Sequence, residues 1–213
     1  MVGLFPAGER HLGLFGIDVS GHGISSALFT ARLASYLSSG SAEHNIALGA
    51  GTDGVIRPLP TAQVLATLNT RVLDEMETDL YFTMSLAVLD LERGQIELSQ
   101  AGHPHPIIQH GDGAFSLCGS TGVPIGLIDD TRYDTVKFML TKGDRLFIAS
   151  DAITECPDKH GTLLEETGFQ SILSQHREKS GNALIDAIMQ DLRVYRNQVE
   201  FPDDISILMV ECV

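Results

Sequence analysis

Three pairs of apolar segments, each joined by a tight polar turn, occupy the middle of the chain. Phe82–Asp90 runs through Glu92-Arg93-Gly94 into Gln95–Gln100, Pro106–Gln109 through Gly111-Asp112-Gly113 into Ala114–Leu117, and Thr135–Leu140 through Lys142-Gly143-Asp144 into Arg145–Ala149. Each pair reads as a β-hairpin. A tight turn can join only antiparallel neighbours, because parallel strands need a crossover of about a dozen residues or more. The chain is therefore constrained to antiparallel sheets, whatever else it contains.

Helical periodicity brackets this β-rich middle. Leu12, Leu14, Phe15 and Ile17 read as a strand, and Ile24, Ala27, Leu28, Ala31, Ala34 and Leu37 recur at helical spacing on one face. Thr61 is placed as the N-cap of a second helix with the stripe Val64, Leu65, Leu68 and Val72, ending near Asp74. Between them Ser38–Pro60, rich in Gly, Ser, Ala and Pro, reads as a mobile connection or flap. Helical spacing returns over Phe169–Gln175 and at Ile185, Ile188, Leu192 and Tyr195, and Ile205–Val210 is a final strand. Amphipathic helices must bury their stripes on sheet faces. The expected class is α+β, a sandwich of antiparallel sheets, with residues 1–213 as one domain.

Charge and cysteine content narrow the function. Fourteen basic against 28 acidic side chains leave a net charge of −14, which opposes docking on nucleic acid or an anionic membrane. The three cysteines, Cys118, Cys156 and Cys212, have neither zinc-finger nor paired secretory spacing. No apolar run is long enough to span a bilayer, and no signal pattern opens the chain. A soluble cytoplasmic protein is expected. The helix Gly181–Tyr195 is assigned to core cover or to homodimer contacts.

Acids recur where strands end. Gly16-Ile17-Asp18-Val19-Ser20-Gly21-His22-Gly23 closes an apolar strand on Asp18 and opens a glycine turn into a helix. The strand Arg145–Ser150 terminates on Asp151, and Asp203-Asp204 immediately precede the last strand. Carboxylates gathered at one place repel one another unless cations hold them, and hard oxygen donors suit Mg²⁺ or Mn²⁺. Two such ions can bind a phosphoryl oxygen and activate water. On spacing alone the alternative stands: Asp18 and Ser20 cap the helix, while the other acids close strand ends.

Six segments in order, Asp18-Val19-Ser20-Gly21-His22-Gly23, Ala101-Gly102-His103-Pro104, Gly122-Val123-Pro124-Ile125-Gly126, Gly143-Asp144-Arg145, Ser150-Asp151-Ala152-Ile153-Thr154-Glu155 and Asp203-Asp204-Ile205-Ser206, resemble the bacterial metal-dependent serine/threonine protein phosphatases of the sporulation-stage-II E and sigma-regulator type. The resemblance covers nearly the whole chain. It implies an α-β-β-α sandwich of two antiparallel sheets flanked by helices, and two Mg²⁺ or Mn²⁺ ions. Asp18 matches the bridging ligand, Val19 a backbone carbonyl ligand, and Asp151 and Asp203 further ligands, with Asp204 supporting. The reaction implied is hydrolysis of phosphoserine or phosphothreonine by metal-activated water without a phosphoenzyme.

Gly21 and Gly23 would let backbone N–H groups approach the phosphate, and His22 is a candidate proton donor to the leaving oxygen. The same resemblance implies as partners a phosphorylated anti-sigma-factor antagonist of the STAS type and an upstream receiver or sensor domain. His103 and His105 belong to a segment that the family uses structurally. Two departures stand out. The Gly-Gly-Asp segment usual on the preceding strand is not in this chain, which implies a truncated N-terminus, and Ala152 replaces the usual glycine. On these grounds a degenerate, partner-binding phosphatase domain is the alternative function. A metal-dependent nuclease or phosphodiesterase shares the acids but not the charge.

Overall fold

The computed structural model describes every residue except 22, 38–43 and 76–79, and of Glu75 the backbone alone. In chain order the elements are β1 (Val2–Pro6), β2 (His11–Val19), α1 (Ile24–Tyr36), β3 (Leu48–Ala50), β4 (Ile56–Pro58), α2 (Thr61–Glu75), β5 (Phe82–Asp90), β6 (Gln95–Ala101), β7 (Ile107–Gln109), β8 (Phe115–Leu117), β9 (Val136–Met139), β10 (Arg145–Ala149), α3 (Asp151–Thr154), α4 (Glu165–Gln175), α5 (Gly181–Tyr195) and β11 (Ile207–Glu211). They group into two compact units, Met1–His105 with Gly119–Leu140, and Pro106–Cys118 with Thr141–Val213.

The first unit is built on a five-stranded sheet of order β1-β2-β5-β6-β9. All its neighbours pair antiparallel. Successive side chains along a strand point to opposite faces. Phe15 and Ile17 therefore lie beside Leu86 and Met84 on one face, in one core with Phe29, Leu33, Leu65 and Leu68 of the two helices. Phe29 meets Phe82 edge-on, with ring centroids 5.9 Å apart. Full burial of each such side chain contributes about 1.5–3 kcal/mol. Gly16 and Asp18 fall on the opposite face with their cross-strand partners Ser85 and Thr83.

Three expectations for this unit are corrected. The buried stripe of α1 is Ser26, Phe29 and Leu33, continued by Leu37. Ile24 and Leu28, expected inside, are 81% and 68% exposed. The helix is rotated because Ser26 Oγ donates to the Ser20 carbonyl (3.2 Å) and Phe29 packs on Phe82. Thr61 is the first residue of α2 and does not cap it; Glu97 does so from β6. A Glu97 oxygen accepts the Thr61 N–H (3.0 Å), while the Thr61 hydroxyl meets Ser99 (2.8 Å). A carboxylate there also complements the helix dipole.

The segment expected as a mobile connection or flap is ordered over its described part, 44–60, where β3 and β4 pair antiparallel. Asp53 accepts from the Val55 N–H and binds Arg57 through both oxygens, which holds the turn. Residues 38–43 of that segment lie outside the described residues.

The second unit carries a four-stranded sheet of order β11-β10-β7-β8, also antiparallel. Phe147 from β10 packs edge-on against Phe169 from α4 at 6.2 Å, in a core completed by Ile153, Leu173, Leu184, Ile188 and Leu192. The inner stripe of α5 thus serves as core cover. Two of the three expected hairpins form, β5-β6 and β7-β8.

The third does not form. β9 pairs with β6, whereas β10 pairs with β7 and β11. The turn between them reverses the chain but hands it to another sheet, because the buried Asp144 carboxylate accepts from the Thr141 N–H (2.8 Å), the Thr141 hydroxyl (2.9 Å) and the Gly111 N–H (3.0 Å). Turn chemistry specifies a reversal, not the edge on which the next strand pairs.

Candidate active site

Asp18 is the penultimate residue of β2 and stands opposite Thr83 in the register with β5, with Val19 opposite Phe82. Its position comes from strand parity: the apolar residues Phe15, Ile17 and Val19 turn to the helix-covered face, which sends Gly16 and Asp18 to the other. Beyond Val19 the strand end is tied down by Ser20. Its N–H donates to the Tyr81 carbonyl (2.9 Å), and its hydroxyl accepts from the Tyr81 N–H (3.0 Å). Ser20 thus braces the loop and does not cap α1. The chain turns into α1 through Gly21 (φ 78°) and Gly23 (φ 95°), the latter being the N-cap of the helix. Those angles favour glycine. His22 lies outside the described residues.

Asp151 opens the short helix α3, directly after Ser150 at the end of β10. Ser150 is buried and joins this junction to the segment before β11. Its N–H donates to the Ser206 carbonyl (3.0 Å), its hydroxyl donates to the Asp204 carbonyl (3.3 Å), and that hydroxyl accepts from the Ser206 N–H (3.1 Å). Since Ala149 pairs with Ile207, the end of β10 and the start of β11 coincide. The structure therefore brings the Asp151 and Asp203-Asp204 junctions together at one end of one sheet. Asp203 Oδ1 accepts from the Asp204 N–H (2.7 Å). Ala152 is helical, buried and outside the left-handed region, so alanine in place of the family's glycine brings no backbone strain.

Asp18 belongs to the first unit, and Asp151 and Asp203 to the second. Among the described residues no group of three or more His, Cys, Asp or Glu side chains is gathered to hold an ion. The chemistry around Asp18 nonetheless fits one. Among the described residues Ser85 Oγ and His103 Nε2 are buried without a hydrogen-bond partner. Ser85 stands opposite Gly16, and His103 Nδ1 lies 2.9 Å from the hydroxyl of Thr83, opposite Asp18. Orphaned buried polar atoms beside a carboxylate are what the water shell of a hard cation satisfies. Burial, then the positive N-terminus, pushes the His103 imidazole down to about 4, so it is neutral at pH 7.

The other family segments are braces. Ile125 exchanges both backbone hydrogen bonds with Phe82 (2.8 and 3.0 Å), and the Gly126 N–H donates to Asn69 Oδ1 (2.8 Å). The Gln100 side-chain amide donates to the carbonyls of His103 and Pro104, and its oxygen meets His105 Nδ1 at 3.1 Å. Thr83, Gln100 and Ser150 received no role from sequence reasoning. Their only signal was a polar residue within or at the end of an apolar strand, and strand register is needed to read it.

The antiparallel sheets flanked by helices form an α+β fold of the PP2C type. The SiaA PP2C domain of Pseudomonas aeruginosa superposes with a TM-score of 0.75 over 99% of this chain and 85% of that one, at 18% identity. Residues 8–213 match the family described as Stage II sporulation protein E (SpoIIE), and the chain belongs to that family. Phosphoserine phosphatase RsbU of Bacillus subtilis is 26% identical over 150 residues, 70% of this chain and 44% of that protein. Phosphoserine phosphatase RsbP of the same organism is 25% identical over 211 residues, 99% of this chain and 48% of that protein. The chain thus spans about half the length of these curated relatives. Among the described residues no helix is long and apolar enough to cross a membrane.

Proposed function

We propose that the two units work as one metal-dependent phosphatase domain that hydrolyses phosphoserine or phosphothreonine on a regulatory protein of the STAS anti-sigma-factor antagonist type. The observation that carries this reading is the pairing of the Asp151 and Asp203 junctions through Ser150 at one sheet end, in a chain whose relatives RsbU and RsbP are phosphoserine phosphatases. Asp18, the Val19 carbonyl, Asp151 and Asp203 are the groups that would hold Mg²⁺ or Mn²⁺, two ions in all. Such ions supply Lewis acidity toward phosphoryl oxygen and acidity to water.

The chain's own part is to hold its carboxylates on strand ends and to offer backbone N–H groups of the Gly21–Gly23 turn and the start of α1 to the phosphate. No side chain need act as nucleophile. Ser20, the nearest hydroxyl to Asp18 in sequence, is committed to Tyr81. The alternative of a degenerate, partner-binding domain loses one of its grounds, since Ala152 is unstrained.

The test is hydrolysis of p-nitrophenyl phosphate and of a phosphoserine peptide with added Mn²⁺. Turnover is expected, and Asp151→Asn is expected to reduce it by about a thousandfold or more, the scale on which an ionised metal ligand stabilises a transition state. A folded wild-type chain inert on both substrates at every Mn²⁺ concentration would sink the proposal.

A further inference from the structure

The Ala101-Gly102-His103-Pro104 segment supplies none of the ligands named above, yet it is built with care. Ala101 is fully buried in the core of the first unit, and Gly102 adopts φ 69°. A Cβ on Gly102 would lie 2.8 Å from the Pro124 ring, so side chains are excluded by both angle and space. This turn delivers the His103 ring into the interior, where it is 6% exposed. Its Nδ1 meets Thr83 Oγ1 at 2.9 Å, and its Nε2 has no partner among the described residues.

We propose that His103 is a positioning residue that acts on Asp18 through Thr83. The argument turns on which ring nitrogen carries the proton. If Nε2 carried it, a buried N–H would be left without an acceptor, and orphaned buried N–H groups are rarer than under-satisfied acceptors. With the proton on Nδ1, the ring donates to Thr83 Oγ1, and only a lone pair on Nε2 is left over. The Thr83 hydroxyl then has its own proton to give. Thr83 and Asp18 are directly opposed across β2 and β5, so their side chains leave the same face with Cβ atoms about 4.5–5.5 Å apart.

With the Asp18 carboxylate turned toward Thr83, as its place across the register allows, it accepts this hydroxyl proton, and the bond fixes its rotamer. The Ile125–Phe82 hydrogen bonds hold the same strand end in place. The inference rests on Asp18 being a metal ligand.

Two measurements on the full chain test it. In ¹⁵N NMR of the metal-free wild type, His103 is expected with Nδ1 protonated and Nε2 bare; the opposite tautomer overturns the proposal. In calorimetric titration with Mn²⁺, Thr83→Val is expected to weaken binding roughly 10- to 100-fold, the range for groups that orient metal ligands. Thr83→Ser restores it.

His103→Leu is expected to match Thr83→Val, and His103→Asn, whose amide N–H can take the place of Nδ1–H, to recover most of the affinity. Thr83→Val that melts like wild type and binds Mn²⁺ as tightly overturns the proposal while leaving the phosphatase reading intact. A wild-type chain that binds no Mn²⁺ removes Asp18 as a ligand and overturns both. If Thr83→Val fails to fold, the tautomer of the wild type still decides.

Discussion

The Asp18 and Asp151 junctions solve one problem, presenting a carboxylate at the end of a strand, by different means. Asp18 sits in the interior of a five-stranded sheet. Its place is set by the nine-residue register of β2 with β5 and by a left-handed glycine turn beyond it. Asp151 follows the short strand β10, and beyond the last β10–β11 pair it is placed by Ser150, whose N–H and hydroxyl tie it to the loop carrying Asp203. The first arrangement spreads its precision over many backbone bonds and a packed core. The second concentrates it in one backbone bond and two bonds of the Ser150 hydroxyl, so it should be easier to disturb by point substitution.

The largest expected effect is on the core beneath each acid. Phe82→Ala and Phe147→Ala should each cost about 3–5 kcal/mol in urea unfolding, since both rings are fully buried against an aromatic partner. A loss below about 1 kcal/mol at Phe82 would mean that the core does not hold the Asp18 strand end.

Ser150→Ala sharpens the contrast. It removes the hydroxyl between Asp204 and Ser206 and should cost about 1–3 kcal/mol while lowering Mn²⁺ affinity. Ser20→Ala, which leaves the backbone bond to Tyr81 in place, should cost less than Ser150→Ala in the same two measurements. The reverse order would break the comparison.

Gly23→Ala should cost about 1–2 kcal/mol from φ 95° alone, because a methyl group there meets nothing within 4 Å. Thermal melting checks this, and no change would show that the turn relaxes freely.

The pH dependence separates the units further. Burial raises the Asp144 carboxyl, but hydrogen bonds from Thr141 and Gly111 outweigh it, so the folded pKa lies below the ordinary value. The stabilisation is therefore present above the unfolded value of about 4 and is lost as pH falls through the lower folded one. The gap in urea midpoint between wild type and Asp144→Asn should be wide at pH 6 and narrow toward pH 3. The smallest effect belongs to Arg57→Ala, below about 1 kcal/mol, since its pair with Asp53 is exposed.

Much of this molecule is legible from local pattern. Period-two alternation and turn residues announced β5, β6, β7 and β8, and helical spacing announced α2, α4 and α5, because both signals act within a few residues. The strand-end placement of the acids was legible too, since Asp18, Asp151 and Asp203 each end or precede an apolar strand. The failures share one cause. Helical spacing identifies that α1 has a buried face, but its rotation was decided by Ser26 on the Ser20 carbonyl and by Phe29 on Phe82. The turn before β10 announced a reversal, but the fastening of Asp144 to Thr141 and Gly111 sent the strand to another sheet.

By itself, then, the sequence determined the antiparallel class, the element types and the three acids, all of which depend on neighbours close in the chain. Only the tertiary structure decided which edge each strand joins, that Asp151 and Asp203 share a sheet end, and that Thr83 and His103 stand behind Asp18. Those depend on hydrogen bonds and packing between residues distant in the chain, which no local pattern encodes.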